Sequence, residues 1–223
     1  MKVNHYTLLS LVFLALSLLM KSIPLLDIKV LKFFNTLMID KTFFSYFTEI
    51  GNGLICLAIT VPLLSLISYR TPLNNVKVQT LVFVGLGVGL IVKVLKELTS
   101  LNAVRPGFYE FEDVIYLEPV YLYSSFPSGH AATIFSLFLV WISLAFRNTK
   151  ISNAGLTITL LLIFALMVSL SRVIVAAHWL SDVLGSIALA FVALNAIRFK
   201  VFKNILFESR IAKFTSFFLI GAA

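Results

Sequence analysis

PSGHAATIFSLFLVWISLAF, residues 127–146, opens on four turn-forming and polar residues and continues as sixteen without a charge. A run of that length approaches the roughly 20 apolar residues a helix needs to cross about 30 Å of hydrocarbon. Pro127-Ser128-Gly129-His130 therefore stands at the edge of a membrane span, where an ionisable side chain is costly to place and tends to carry a function. The arrangement recurs downstream. The apolar run 154–169 leads into Ser171-Arg172, with His178 after five intervening residues and Asp182 after three more. Arg105-Pro106 lies upstream at another such edge. If the spans alternate in direction, two histidines, two arginines and an aspartate all emerge on one side.

The rest of the chain has the same character. Of its 223 residues 60% are apolar and 13% charged, against roughly half and a quarter in an ordinary soluble domain. The expectation is one all-α integral membrane domain over residues 1–223, with no soluble domain appended. The single cysteine, Cys56, falls inside an apolar block; it excludes an intramolecular disulfide, and one thiol makes no metal site. The net charge of +8 comes without a basic run interleaved with aromatics, so nucleic acid is set aside as a partner.

Hydropathy divides the chain into six spans, at about 6–20, 51–69, 78–95, 129–146, 155–177 and 180–197. The first ends Met20-Lys21-Ser22-Ile23-Pro24, without the small-residue site at which a secretory signal is cut. Residues 26–38 are too polar to span and too apolar for a free loop, which fits an external helix lying in the interface or a loop helix packed on the bundle. Gly85, Gly87 and Gly89 are expected to let neighbouring helices approach. Residues 96–127 form the longest polar connection; their acids and four tyrosines suit a loop at headgroup depth that roofs the polar clusters. The tail from Arg198 is basic and aromatic, and its last apolar run, 214–223, is too short to cross.

Six spans put both termini on one side. That side would carry Lys2, Arg70, Lys77, Arg147, Lys150, Arg198, Lys200, Lys203, Arg210 and Lys213 with Glu208 its single acid, while Asp27, Asp40, Glu49, Glu97, Glu110, Glu112, Asp113, Glu118 and Asp182 fall opposite. Positive charge gathers on the cytoplasmic side of membrane proteins. Lys21, Lys29, Lys32 and Lys41 run against this sorting. The termini are thus expected in the cytoplasm and the polar clusters on the outer face.

The clusters hold the makings of phosphate chemistry. His178 and Asp182 are four apart; on a helix they share a face, and a carboxylate bonded to one ring nitrogen fixes the tautomer and frees the other to attack an electrophile. Arg172 offers a planar donor fork that matches phosphate oxygens. Ser128 and Gly129 open a helix, whose backbone N–H groups favour an anion, and His130 is placed to give a proton to a leaving oxygen. The paired carboxylates expected of a magnesium site are missing from these clusters.

Pro127-Ser128-Gly129-His130 followed by Ser171-Arg172-x5-His178-x3-Asp182 resembles the second and third signatures of the type 2 phosphatidic acid phosphatase superfamily at every defined position. The resemblance implies a membrane-bound lipid phosphatase without cofactor or metal. In its terms His178 is the nucleophile, carried through a phosphohistidine; Asp182 orients it; His130 protonates the leaving group and then activates water; Arg105, Ser128, Gly129 and Arg172 hold the phosphoryl oxygens. The first signature departs from the pattern. Leu98 stands where the family has a lysine, with Lys96 two residues early and Lys93 next. Two residues turn a helix by about 200°, so Lys96 serves only if the chain loosens between it and Arg105, and Thr99, Ser100 and Asn102 make such loosening plausible.

The substrates implied are bacterial envelope lipids: undecaprenyl diphosphate, phosphatidylglycerol phosphate, phosphatidic acid or lipid A phosphates. Transfer of the phosphoryl group to a second lipid, and a non-catalytic lipid-binding or lipid-moving protein, are the alternatives. The second of these is disfavoured by the presence of His130, His178 and Asp182 together.

Overall fold

The span that opens at Gly129 becomes α7 (Gly129–Ala145), in which every residue from Ala131 to Trp141 is buried. A helix apolar on all sides belongs inside a bundle, and α6 (Asn74–Thr99), α8 (Ile151–Ile174) and α9 (Leu180–Ala196) pack around it. The computed structural model describes residues 4–67, 74–99, 102–146 and 151–198, and these hold helices and connections without a strand. Much of the charge bookkeeping (Lys2, Arg70, Arg147, Lys150 and the tail beyond Arg198 with its run 214–223) lies outside the described residues.

α1 (His5–Ser22) lies along α9. Its leucines Leu8, Leu11, Leu18 and Leu19 are exposed, as suits a face turned to lipid, while Ser10 and Ser17 are buried. Ser10 donates to Ala188 O at 3.0 Å and Ser17 to Ser181 O at 2.7 Å, the small polar residues that join helices where apolar packing alone discriminates little. Gly185 is required beside them: a Cβ there would run into the Phe126 ring.

The segment read as interfacial is α2 (Pro24–Asn35), and its Asp27, Leu31 and Asn35 form one buried stripe at helical spacing. Asp27 accepts from the backbone N–H of Ser181 at 3.3 Å, so the start of α9 is capped from another helix. Burial is the main cause that raises the Asp27 carboxyl above the ordinary aspartate range, with the Ser181 hydrogen bonds acting the other way. Asn35 donates to Ile115 O and to Ile174 O and accepts from Ile115 N, at 2.8–2.9 Å. It ties α2, the long loop and the end of α8 together. Asn35→Leu keeps the volume but takes the partner from the buried Ile174 O and the part-buried Ile115 N and O, at about 1–3 kcal/mol for the buried group and less for the other two. The apparent melting temperature in detergent should fall by roughly 5–15 °C, whereas Asn4→Ala, which removes an exposed pair with Asn195 and the N-cap bond to Tyr6 N, should cost about 1 kcal/mol and move it by only about 2–4 °C.

Several boundaries differ from the sequence expectation. The second span does not begin at Gly51: α3 (Lys41–Glu49) precedes it, and the chain bends by 59° between α3 and the helix that starts at Gly53. Asp40 caps α3, accepting from Thr42 N and Phe43 N, and Asn52 caps the next turn through Leu54 N. That helix runs as α4 (Gly53–Ile55), a π-helical turn (Cys56–Thr60) and α5 (Val61–Ile67). α6 reaches Thr99 rather than stopping at 95, because Lys96-Glu97-Leu98 are good helix formers. α8 stops at Ile174 rather than 177. Ala176 takes φ 53°, with Ala176 N donating to Val173 O and Ala177 N to Arg172 O, the paired bonds that close a helix on a left-handed residue. Of the three glycines in α6 only Gly85 lies against a neighbour, Leu57; Gly87 and Gly89 face open space.

α1, α6 from Val78 and α8 from Ala154 are long and apolar enough to cross a membrane, and the bent pair makes a fourth if it forms one span. α7 and α9 have 17 residues each, at the lower limit for spanning. The protein is an all-helical, multi-pass membrane protein; the count of six rests on those two shorter helices.

Candidate active site

The C-terminal ends of α3, α6 and α8 and the N-terminal ends of α7 and α9 meet at one end of the bundle, under the loop 102–128. The loop folds back on itself, Arg105 N donating to Leu122 O and Ser125 N to Ala103 O. It is clamped to α2 by Lys32–Asp113 at 2.7 Å. Trp179 Nε1 adds a bond to Val104 O at 2.8 Å.

His178 is not on a helix. It lies in the turn after α8, its N–H donating to Arg172 O at 3.1 Å beside that of Ala177. The shared carbonyl is why five residues separate Arg172 from His178: the helix-closing turn occupies them. Asp182 is three residues past the cap of α9 and bonds back to Trp179 N at 3.1 Å. The same oxygen, Oδ2, accepts from Ser125 Oγ at 2.5 Å and faces His178 Nδ1 at 3.4 Å. The sequence expectation of two residues on one helix face is thus replaced by a helix cap that reaches back to the turn. His178 and Asp182 are 2% and 1% exposed. Burial, then the positive charges of Arg105, Lys96 and Arg172, holds the His178 ring well below the ordinary histidine range, so it is neutral at neutral pH.

Three of the four buried side-chain polar atoms without a partner among the described residues belong to this cluster: Ser128 Oγ, His130 Nε2 and Arg172 Nε. Buried orphans are rare and each is costly. Ser128 is the N-cap residue of α7 but its hydroxyl makes no capping bond, so it stays available as a donor next to the start of the helix, where N–H groups favour an anion. Arg172 Nη1 donates to Thr48 Oγ1 at 2.9 Å. Arg105 spends three N–H groups on carbonyls, Nε on Tyr123, Nη1 on Ala177 and Nη2 on Ser124, and two of a guanidinium's five remain. Gly129 is half-buried with a Val92 methyl 3.6 Å from where its Cβ would be. Lys96 is half-buried at the end of α6, within electrostatic reach of Arg105, Asp182 and Arg172. Lys93 is exposed. The chain leaves the helix after Thr99, whose carbonyl takes the N–H of Asn102 and Ala103.

Sequence reasoning missed Thr48, Glu49 and Ser125. Thr48 Oγ1 meets both Arg172 and Ser171 Oγ, the latter at 3.1 Å. Glu49 Oε1 lies 3.5 Å from His130 Nε2. Gly51 sits so close under His130 that a Cβ would come within 2.9 Å of the His130 Cβ. The signal was Gly51-Asn52-Gly53, a breaker inside an apolar stretch.

A cavity of about 340 Å³ borders the cluster, and Thr48, Glu49, Arg105, Arg172, Glu118 and Tyr121 are among its lining residues. A smaller one of about 180 Å³ is lined by Lys21, Asp27, Ser125, Trp179 and Asp182. Chemically the cluster offers one neutral imidazole backed by a carboxylate, a second imidazole, and hydrogen-bond donors from four directions.

The model of the PAP2 superfamily matches residues 77–206. The fold is similar to the crystal structure of the transmembrane PAP2 type phosphatidylglycerolphosphate phosphatase from Bacillus subtilis, at TM-score 0.64 and 20% identity over 92% of this chain and 98% of that one. It is similar also to that of Aquifex aeolicus LpxE, at TM-score 0.58 and 22% identity over 77% of this chain and 93% of that one. Comparison with curated proteins found no match.

Proposed function

Because the chain belongs to the PAP2 superfamily, we propose that the cluster removes phosphate from a membrane lipid by way of a phosphohistidine. The observation that carries this reading is the pair of orphaned buried donors, Ser128 Oγ and Arg172 Nε, in one cluster with His130 and a neutral His178. Donors without partners around a nucleophile suit an incoming phosphoryl group.

In the first step His178 Nε2, the nitrogen turned away from Asp182, attacks phosphorus. The P–O bond to the lipid breaks, and the leaving oxygen takes a proton from His130. Asp182 holds Nδ1–H and offsets the positive charge that the ring acquires. Ser128, Arg172, the free N–H groups of Arg105 and the start of α7 bear the charge of the phosphoryl oxygens, and Lys96 adds a cation from α6. In the second step His130 takes a proton from water, the water oxygen attacks phosphorus, and the P–N bond breaks. With three cations supplied by the chain, a divalent metal is not required by this scheme.

The lipid head enters through the larger cavity from headgroup depth on the outer face, with the termini in the cytoplasm. A bacterial inner membrane fits this reading. The substrate class is an envelope lipid phosphate or diphosphate: phosphatidylglycerol phosphate, undecaprenyl diphosphate, phosphatidic acid or lipid A phosphate. Phosphatidylglycerol phosphate heads the panel, since the neighbour that covers most of this chain acts on it.

The test is phosphate release by purified protein from these four lipids with EDTA present, the lipid products followed by mass. Release from one of them, undiminished by chelator, is the expected result. Strict dependence on magnesium overturns the scheme, and one lipid gaining the phosphate another loses makes the protein a phosphotransferase.

A further inference from the structure

The break in the second span brings an acid to His130. Glu49 ends α3, and its two carboxylate oxygens have separate neighbours: Oε2 accepts from Asn52 Nδ2 at 2.9 Å, and Oε1 faces His130 Nε2 at 3.5 Å. Gly51 lets the bend lie directly under His130. The Nε2 atom is buried without another partner, and such separations in a free enzyme tighten when the site fills.

The charged and titratable groups facing His130 are Glu49 from α3, Lys96 from α6, Arg105 from the loop, Arg172 from α8 and His178 from the following turn. Glu49 alone among these is an acid. A ring that must carry a proton to a leaving oxygen, set among cations, is helped by a carboxylate at its far nitrogen.

We infer that Glu49 is the positioning partner of His130, accepting from Nε2–H so that Nδ1–H is aimed at the leaving oxygen and the ring holds its proton until that bond breaks. This rests on the phosphatase reading above. The proton passes from His130 to the leaving oxygen; Glu49 keeps its charge throughout and neither gains nor loses one.

An alkoxide is a poor leaving group and needs that proton, whereas p-nitrophenolate does not. Glu49→Gln is therefore expected to lower kcat for an alkyl phosphate such as dodecyl phosphate by about 10- to 100-fold at pH 7, and for p-nitrophenyl phosphate by less than about threefold. The alkaline limb for the alkyl substrate should move to lower pH by about one unit. Glu49→Asp, which keeps the charge, should fall between the two and carries the comparison if Glu49→Gln does not fold. Equal loss on both substrates with an unmoved alkaline limb would reduce Glu49 to a structural role and overturn the inference. The titration midpoint of His130 by ¹⁵N-histidine NMR, assigned by its loss in His130→Gln, separates the two readings. A native protein that hydrolyses neither substrate defeats the phosphatase reading. Under that outcome a midpoint lower by about one unit in Glu49→Gln still upholds the pairing, and an unchanged one overturns it.

Discussion

His178→Ala is expected to abolish phosphate release, by about 10⁴-fold or more in kcat, while the protein remains folded in detergent. The size follows from the chemistry rather than from packing. His178 is the one ring in the cluster with a carboxylate at Nδ1, and the mechanism puts the covalent bond to phosphorus on its Nε2. The backbone around it owes little to the imidazole: the turn is closed by the N–H groups of Ala176, Ala177 and His178 on carbonyls of α8. Substrate labelled at phosphorus should transfer an acid-labile label to the native protein and none to the variant. His178→Asn, closer in volume, is the companion if the alanine leaves a cavity that unfolds the site. Retained activity in a folded variant would sink the mechanism. The same ring sets an expectation for pH. Its ordinary value is lowered in the folded protein, so the neutral, nucleophilic form persists as pH falls through 6.5. The acid limb of kcat/KM should therefore lie well below the ordinary histidine range, and a limb near 6.5 would mean that His178 is not held as described.

The helices and the two polar clusters were legible because membrane chemistry leaves few ways to write them. Runs such as 131–146 cannot be read as loops, and Pro127-Ser128 and Ser171-Arg172 mark where they stop. What surrounds the clusters was less legible, since the partners come from far along the chain. Thr48 lies 124 residues from Arg172 and Ser125 lies 57 from Asp182, and neither has a local pattern announcing it. The bent second span was hidden for a different reason. Hydropathy averages over windows longer than α3, so Lys41 and Glu49 read as the polar flank of one span rather than as the bounds of a separate helix. The pairing of His178 with Asp182 was expected from helical spacing; the contact is made instead by a cap, because Trp179 is extended and α9 begins only at Leu180. Burial of Asp27 and Asn35 could have been suspected from their spacing of eight around Leu31, two turns of one face, but not the segments they fasten.

Asp182→Asn should cost about 10³- to 10⁴-fold in kcat with little change in KM, the second largest loss expected. The side chain keeps its shape, so the argument turns on charge and on which atom faces which. In the native protein Oδ2 accepts from Ser125 Oγ, accepts from Trp179 N and faces His178 Nδ1. Two directed donors on this oxygen, with His178 Nδ1–H as a third in the mechanism, suit a carboxylate. With an amide, the carbonyl oxygen can satisfy Trp179 and Ser125, but it no longer offsets a ring that turns positive on attack. If the amide turns the other way, its NH₂ meets Nδ1 and favours the tautomer that puts the proton on Nε2, the nitrogen that must attack. Either orientation slows the chemical step and leaves phosphate binding by Arg172, Ser128 and Arg105 in place, which is why KM should hold. Ser125→Ala removes one donor and no charge, so it should cost only about tenfold. Steady-state kinetics with melting temperatures for both variants decide the matter. Asp182→Asn within tenfold of native turnover, or a loss that appears in KM, would show that the carboxylate shapes the end of α9 and does not orient the nucleophile.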